Sequence, residues 1–176
     1  MNFDTGRFIL KIAETSEELH AAQRLRYKVF VEEMGANVAD DCHASRMEYD
    51  KFDQDFDHLI LIDSLNRNTA ENVVGVYRLM LNTSVNKNRG FYSSSEYNLD
   101  KLIKADRKIL ELGRSCIDKQ HRGGVALHMM WNGLAQYVIN NNVEVLFGVA
   151  SFHGVDINLI NHALSYLHYN HLAPVE

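Results

Sequence analysis

Residues 108–140 read Lys-Ile-Leu-Glu-Leu-Gly-Arg-Ser-Cys-Ile, then Asp-Lys-Gln-His-Arg-Gly-Gly, then Val-Ala-Leu-His-Met-Met-Trp-Asn-Gly-Leu-Ala-Gln-Tyr-Val-Ile-Asn. The first ten are apolar enough for a strand in the interior of a sheet. The next seven hold paired glycines and read as a loop, Asp118 to Gly124. The last sixteen place Leu127, Met130, Trp131, Leu134 and Val138 at helical spacing, which predicts a helix with those residues on its apolar side. A strand–loop–helix unit points to an α/β fold.

Outward from this unit, Phe8 to Ala13 reads as a first strand. Thr15 or Ser16 followed by Glu17 and Glu18 is a helix start. Leu19, Ala22, Leu25, Val29 and Phe30 give that helix an apolar face to about Glu33, and Gly35 ends it. Asn37 to Asp57 is polar and rich in aspartate, with Tyr49, Phe52 and Phe56 as its large apolar anchors, and reads as a long structured loop. His58–Asp63 and Val73–Leu81 form a predicted hairpin around a Leu65–Asn72 turn. Asn82 to Gly90 is a polar linker and Ser95 to Lys104 a short helix; Val143–Ala150 is a further strand and Asp156–Tyr169 a last helix. No internal repeat or low-complexity tract interrupts this order, so residues 1–176 are expected to form one domain.

Several polar residues stand where an apolar pattern should exclude them. Glu111 and Arg114 interrupt the strand Leu110–Ile117, and burying unpaired charge is costly, so they form an ion pair or a site. Strict alternation sets them on opposite faces; Gly113 between them predicts a β-bulge that brings both to one cleft. Arg78 interrupts a second apolar strand and also needs a partner. Asp50 and Asp53, in Glu48-Tyr49-Asp50-Lys51-Phe52-Asp53, either form a solvated acidic loop, pair with arginines such as Arg26 and Arg78, or meet the cationic end of a substrate. Gln120, His121, Arg122, Gly123 and Gly124 precede a helix N-terminus, where free backbone N–H groups suit the phosphate of a phosphopantetheine arm; a tight turn is the plain alternative. Ser115 and Cys116 lie outside any nucleophile-elbow pattern and read as small strand residues. The scattered histidines, with His162, His168 and His171 near the end of the chain, offer no zinc set, so no metal is expected.

A length of 176 residues with 46% hydrophobic content supports one buried core without disulfides. Cys42 and Cys116 lie far apart, and the chain opens with no signal-type segment, so a soluble protein of the reducing cytoplasm is expected. No apolar run approaches the roughly 18–20 residues that span a bilayer; a lipid product would be made at a membrane surface, by peripheral contact. A net charge of −5 argues against nucleic acid. The local patch of Arg114, Lys119, His121 and Arg122 still suits an acidic carrier protein.

Taken together, these residues resemble the GNAT acyltransferases, whose element order the chain follows, with Glu111-Leu112-Gly113-Arg114 where that family's splayed strand lies. Within the superfamily, Arg26-x-x-x-Phe30, Asp50-x-x-Asp53, Arg78 and Glu111-x-x-Arg114 resemble the branch shared by acyl-homoserine-lactone synthases and ornithine lipid N-acyltransferases. The runs Arg26 to Gly35, Val74 to Leu79, Leu112 to Cys116 and Phe147 to Phe152 are similar to the ornithine N-acyltransferases, sometimes called hemolysin-like, and the similarity covers roughly Phe8 to Pro174.

The resemblance implies a mixed central sheet flanked by helices, and transfer of a 3-hydroxyacyl chain from acyl carrier protein to the α-amine of ornithine, giving lyso-ornithine lipid. It implies no permanently bound cofactor, the acyl-phosphopantetheine of the carrier serving as co-substrate with acyl-coenzyme A as the other possible donor. Arg26, Phe30, Asp50, Asp53 and Arg78 are the implied substrate-binding residues. Glu111 is the expected general base, directly or through a water, with backbone N–H groups near Gly113 to Ser115 and Arg114 holding the oxyanion. The alternatives are an acyl-homoserine-lactone synthase and a non-catalytic GNAT domain that binds acyl carrier protein. Two departures stand out. Val125 fills the last, usually small, place of the phosphate loop, which favours a carrier-protein donor over coenzyme A. The chain also ends about where the family fold adds its last two strands, so a C-terminally truncated fold is expected.

Overall fold

A computed structural model describes residues 2–152, 154 and 156–172; Met1 and the last residues of the expected domain and of the Phe8–Pro174 resemblance lie outside them. The elements are β1 (Asn2–Asp4), β2 (Phe8–Ile12), α1 (Ser16–Arg26), α2 (Asp40–Ser45), β3 (Asp57–Asp63), β4 (Val73–Leu81), α3 (Asp100–Lys104), β5 (Ile109–Ile117), α4 (Gly124–Asn140), β6 (Val145–Gly148) and α5 (Ile157–His171). They form a six-stranded sheet in the order β1-β2-β3-β4-β5-β6, antiparallel except for the parallel β5–β6 pair. This is the expected mixed sheet flanked by helices.

Thr15 is the N-cap of α1 and closes a capping box with Glu18, as the acidic start predicts. The helix then widens into π-helical turns over Tyr27–Glu33, where Met34 N–H bonds the Val29 carbonyl at 3.1 Å. Such turns are rare and cluster at functional sites. Gly35 ends the helix at φ +74°, a conformation glycine adopts without strain.

Helix α4 packs on one face of the sheet and α1 on the other. Leu10, Leu59, Leu61, Leu79 and Leu110 pack with Met130, Leu134 and Tyr137 of α4. On the opposite face Ala21, Ala22, Leu25 and Val29 cover Ile60, Val76 and Cys116. The α4 contact corrects the sequence expectation. Leu127 is 52% and Trp131 55% exposed, whereas Ala126, Met129, Met130, Gly133, Leu134 and Tyr137 face the sheet. Small residues win the inner face because they allow close approach: a Cβ on Gly133 would stand 2.6 Å from Leu10 Cδ2.

Four further differences are local. The three residues of β1 are too few to show a period, yet they pair with β2. The aspartate-rich loop holds the short helix α2, and the predicted Ser95–Lys104 helix contracts to Asp100–Lys104, preceded by a 3-10 turn over Tyr92–Ser95. The predicted strand Val143–Ala150 contracts to Val145–Gly148, because β6 pairs with β5 only through Leu112 and Gly148. Beyond that pair the two strands part. Gly148 permits the last contact: a Cβ there would sit 2.3 Å from the Leu112 carbonyl oxygen.

Candidate active site

The bulge expected at Gly113 is present. Arg78 pairs with Gly113 and Val76 with Cys116, so two steps along β4 meet three along β5. The extra residue lies in the Arg114–Ser115 stretch, and Arg114 takes φ +53°, a left-handed conformation that costs a non-glycine residue about a kilocalorie or more. The bulge turns Arg114 to the same face as Glu111. Between them lies the Tyr92–Ser95 turn: Glu111 accepts the Tyr92 N–H at 3.0 Å and the Ser93 N–H at 2.6 Å, and the Arg114 guanidinium stacks 5.2 Å from the centre of the Tyr92 ring. Glu111 is 1% exposed, and both of its oxygens are taken by this turn.

Arg114 belongs to a larger buried network, and here the aspartates pair with arginines as one of the sequence readings required. Arg26 Nη1 and Nη2 each donate to Asp53 at 2.8 Å, and Arg26 Nε donates to Glu48 at 2.6 Å. Arg78 Nη1 donates to Asp53 at 2.8 Å and to Asp50 at 2.9 Å, while Arg78 lies over the Phe56 ring. Arg114 Nε donates to Glu48 at 2.9 Å. Three guanidiniums thus meet three carboxylates. Burial opposes ionisation of Asp53, but Arg26 and Arg78 outweigh it and hold the carboxyl well below the usual carboxylate range. Burial likewise opposes the charge on Arg114, and Glu48 more than restores it. Asp50 is the most open carboxylate of the three, with a side chain 23% exposed, although its Oδ2 is buried and lies 3.5 Å from Arg114 Nη2.

Glu48, Gln23 and His58 are members of this network that the sequence reading missed. Gln23 Nε2 donates to Asp53 at 3.0 Å, and His58 Nε2 stands 3.0 Å from the Asp53 carbonyl. A signal for Glu48 existed: three arginines need a third carboxylate, and Glu48 lies two residues before Asp50.

Where β6 leaves β5, a cavity of about 660 Å³ opens. Val29, Phe30, Glu33 and Met34 form one wall, and Ser115, Cys116, Gly123, Gly124 and Leu127 the other. Phe30 and Ser115 therefore both line it. Burial pushes the Cys116 thiol up to about 12, which removes it as a nucleophile at neutral pH.

The loop after β5 divides. Arg122, Gly123 and Gly124 face this cavity; Gln120 and His121 face a second one of about 560 Å³, bordered by Lys28, Asp63 and Asp118. Cβ atoms on Gly123 and Gly124 would meet nothing within 4 Å, so their side of the loop is open. The expected basic patch needs correction, because the fold brings acids to it. His121 bridges Asp118 at 3.3 Å and Asp63 at 3.1 Å. Arg122 pairs with Glu33 through both Nη atoms, and Arg114 with Glu48, which leaves Lys119 outside these pairs.

The parted strands, the bulge beside them and the helix opening at Gly124 define the class: an acyl-transfer α/β fold of the acetyltransferase type. Residues 25–132 match the family model described as an acetyltransferase (GNAT) domain, and the chain belongs to that family. It is 45% identical over 166 residues to an L-ornithine N(alpha)-acyltransferase of Rhodobacter capsulatus, covering 94% of this chain and 64% of that protein. An L-ornithine N(alpha)-acyltransferase of Agrobacterium fabrum is 34% identical over 174 residues, covering 97% and 59%. The chain thus spans about three fifths of the length of these relatives. Among solved structures, its fold is similar to FeeM, an N-acyl amino acid synthase from uncultured soil microbes, with TM-score 0.61, 15% identity and 93% and 78% of the two chains covered. The AHL synthase LasI gives TM-score 0.57 at 19% identity, with 91% and 78% covered. Among the described residues, no helix is long and apolar enough to cross a membrane.

Proposed function

We propose that the protein is an N-acyltransferase that moves a 3-hydroxyacyl chain from the phosphopantetheine of acyl carrier protein to the α-amine of ornithine, in the making of lyso-ornithine lipid. The observation that carries the reading is the opened β5 edge: a bulged strand, freed from β6 after Leu112, that runs along a cavity with apolar walls beside a buried arginine–carboxylate network. The identity to the two ornithine acyltransferases supports the choice of acceptor.

In this reading the thioester arm lies in the Phe30–Leu127 cavity with its phosphate at Arg122, Gly123 and Gly124, near the positive end of α4. The acceptor amine attacks the thioester carbonyl directly; the C–N bond forms, the C–S bond breaks, and the thiol leaves with a proton. Backbone N–H groups of the bulge around Gly113 to Ser115 hold the oxyanion, and Arg114 fixes their geometry through Glu48. Ornithine's α-amine is mostly protonated at neutral pH and must lose a proton first. Glu111 takes it through a water, because its own oxygens accept from the Tyr92 and Ser93 N–H groups and burial keeps the amine from touching it. Asp50, the most exposed carboxylate of the network, meets the acceptor's second ammonium. Reaction takes place in the cytoplasm, with peripheral membrane contact as the product becomes lipid.

The test offers the full-length protein acyl carrier protein loaded with a 3-hydroxyacyl chain and each amino acid in turn, and detects product by mass. N-acyl ornithine is expected. Product with another amino acid in preference to ornithine overturns the acceptor, and faster turnover with acyl-coenzyme A than with the carrier thioester overturns the donor.

A further inference from the structure

Glu33 and Arg122 stand on opposite walls of the Ser115 cavity and join across it. Arg122 Nη1 and Nη2 donate to the two Glu33 oxygens at 2.5 and 2.7 Å, a bidentate pair between residues 89 positions apart. Arg122 Nε also donates to the Ile117 carbonyl at 3.0 Å, which fixes the guanidinium beside Gly123. The pair is partly exposed, its side chains 41% and 30% accessible, so it contributes little to stability. Arg122 keeps Glu33 ionised, its carboxyl held below the ordinary value. A carboxylate thus occupies an arginine that faces the open glycines, in the fork geometry that a phosphate also takes.

We propose that Glu33 is a specificity-determining residue for the acyl donor: its carboxylate holds Arg122 across the cavity mouth until the phosphate of a phosphopantetheine arm displaces it. This rests on the reading above, that the donor phosphate docks at Arg122, Gly123 and Gly124. Phosphate gains on exchange because it takes the guanidinium and the free N–H groups at the start of α4 together, whereas Glu33, on the opposite wall, takes only the guanidinium. A thioester arm without phosphate finds Arg122 engaged.

The experiment is calorimetric titration of the full-length protein with 4′-phosphopantetheine and, separately, with pantetheine. Glu33→Gln is expected to tighten phosphopantetheine about two- to five-fold, the range an exposed ion pair spans, and to leave pantetheine unchanged. Arg122→Gln weakens phosphopantetheine, and in the double variant the gain from Glu33→Gln disappears. An equal gain for pantetheine overturns the proposal, since Glu33 then shapes the cavity instead of competing with phosphate. No gain for phosphopantetheine in Glu33→Gln, with Arg122→Gln still weakening it, overturns the proposal and leaves the docking reading standing. If the wild type binds both probes alike and Arg122→Gln changes neither, the docking reading fails with it. In turnover, the source of the arm is the thioester, on carrier protein or coenzyme A, whose KM falls in Glu33→Gln at unchanged kcat; a fall in neither overturns the role.

Discussion

Asp53→Asn removes one negative charge from the centre of the arginine network and changes almost nothing else. Asp53 Oδ1 accepts from Arg26 and Arg78, and Oδ2 accepts from Arg26 and Gln23, so four donors converge on two oxygens. An asparagine must turn its NH₂ toward two of them. Arg26 is 0% and Arg78 1% exposed, so water cannot take the lost place, and Glu48 and Asp50 are left to balance three guanidiniums. Removing one partner of a buried pair costs roughly 3–5 kcal/mol. With a urea m-value of about 2 kcal/mol per molar for a chain of this size, the unfolding midpoint falls by roughly 1.5–2.5 M. The comparison lies two residues on: Asp55 bonds Arg89 twice at 2.7 Å, but Arg89 is a quarter exposed and water can take the lost place, so Asp55→Asn should lower the midpoint less than Asp53→Asn. Equilibrium urea unfolding of both variants decides. If Asp53→Asn stays within about 1 kcal/mol of the wild type, the network is not buried or not charged as described.

The same cluster predicts a two-stage acid response. Burial lowers the pKa of His58, and its Nδ1 has no acceptor for a second N–H among the described residues, so the folded state favours the neutral ring. Stability is therefore full above the ordinary histidine value of about 6.5, and part of it is lost as pH falls below that value, because the unfolded chain binds the proton. The lowered carboxyls of Asp53, Asp63 and Asp118 add a second loss below about pH 4; urea midpoints against pH check both stages, and His58→Gln should abolish the first alone. Gly148→Ala drives a Cβ into the Leu112 carbonyl and should cost about 1–3 kcal/mol with loss of transfer activity, measured by unfolding and by product formation; a wild-type midpoint rejects the close approach. Glu111→Gln should fold but lose about a hundred- to ten-thousand-fold in rate, and a wild-type rate would make the residue an anchor of the Tyr92 turn only.

Much of this arrangement was legible in the sequence where a local rule was broken. Charged residues inside apolar strands, Arg78, Glu111 and Arg114, announced a buried site, and the odd spacing of Glu111 and Arg114 around Gly113 announced the bulge. Loop partners were less legible, because ion pairing across distant residues leaves no period. Glu33 reads as a solvent-facing helix residue until Arg122 is brought to it from 89 positions away. Helix α4 shows the opposite limit: hydrophobicity alone selected Leu127 and Trp131 for the interior, whereas close packing selected Ala126 and Gly133.

The bulge and the network also depend on each other. A left-handed Arg114 is unfavourable on its own, and the conformation persists because its side chain reaches Glu48 and the Tyr92 ring from nowhere else on β5. Glu48 in turn is fixed by Arg26, and Arg26 by Asp53, so the backbone shape at the opened strand edge is held by charges from α1 and from the aspartate-rich loop. Substitutions in that loop, remote from the cavity, should therefore alter the donor N–H geometry at Gly113 to Ser115 through Arg114, whereas substitutions of α4 residues that face the sheet act on stability alone.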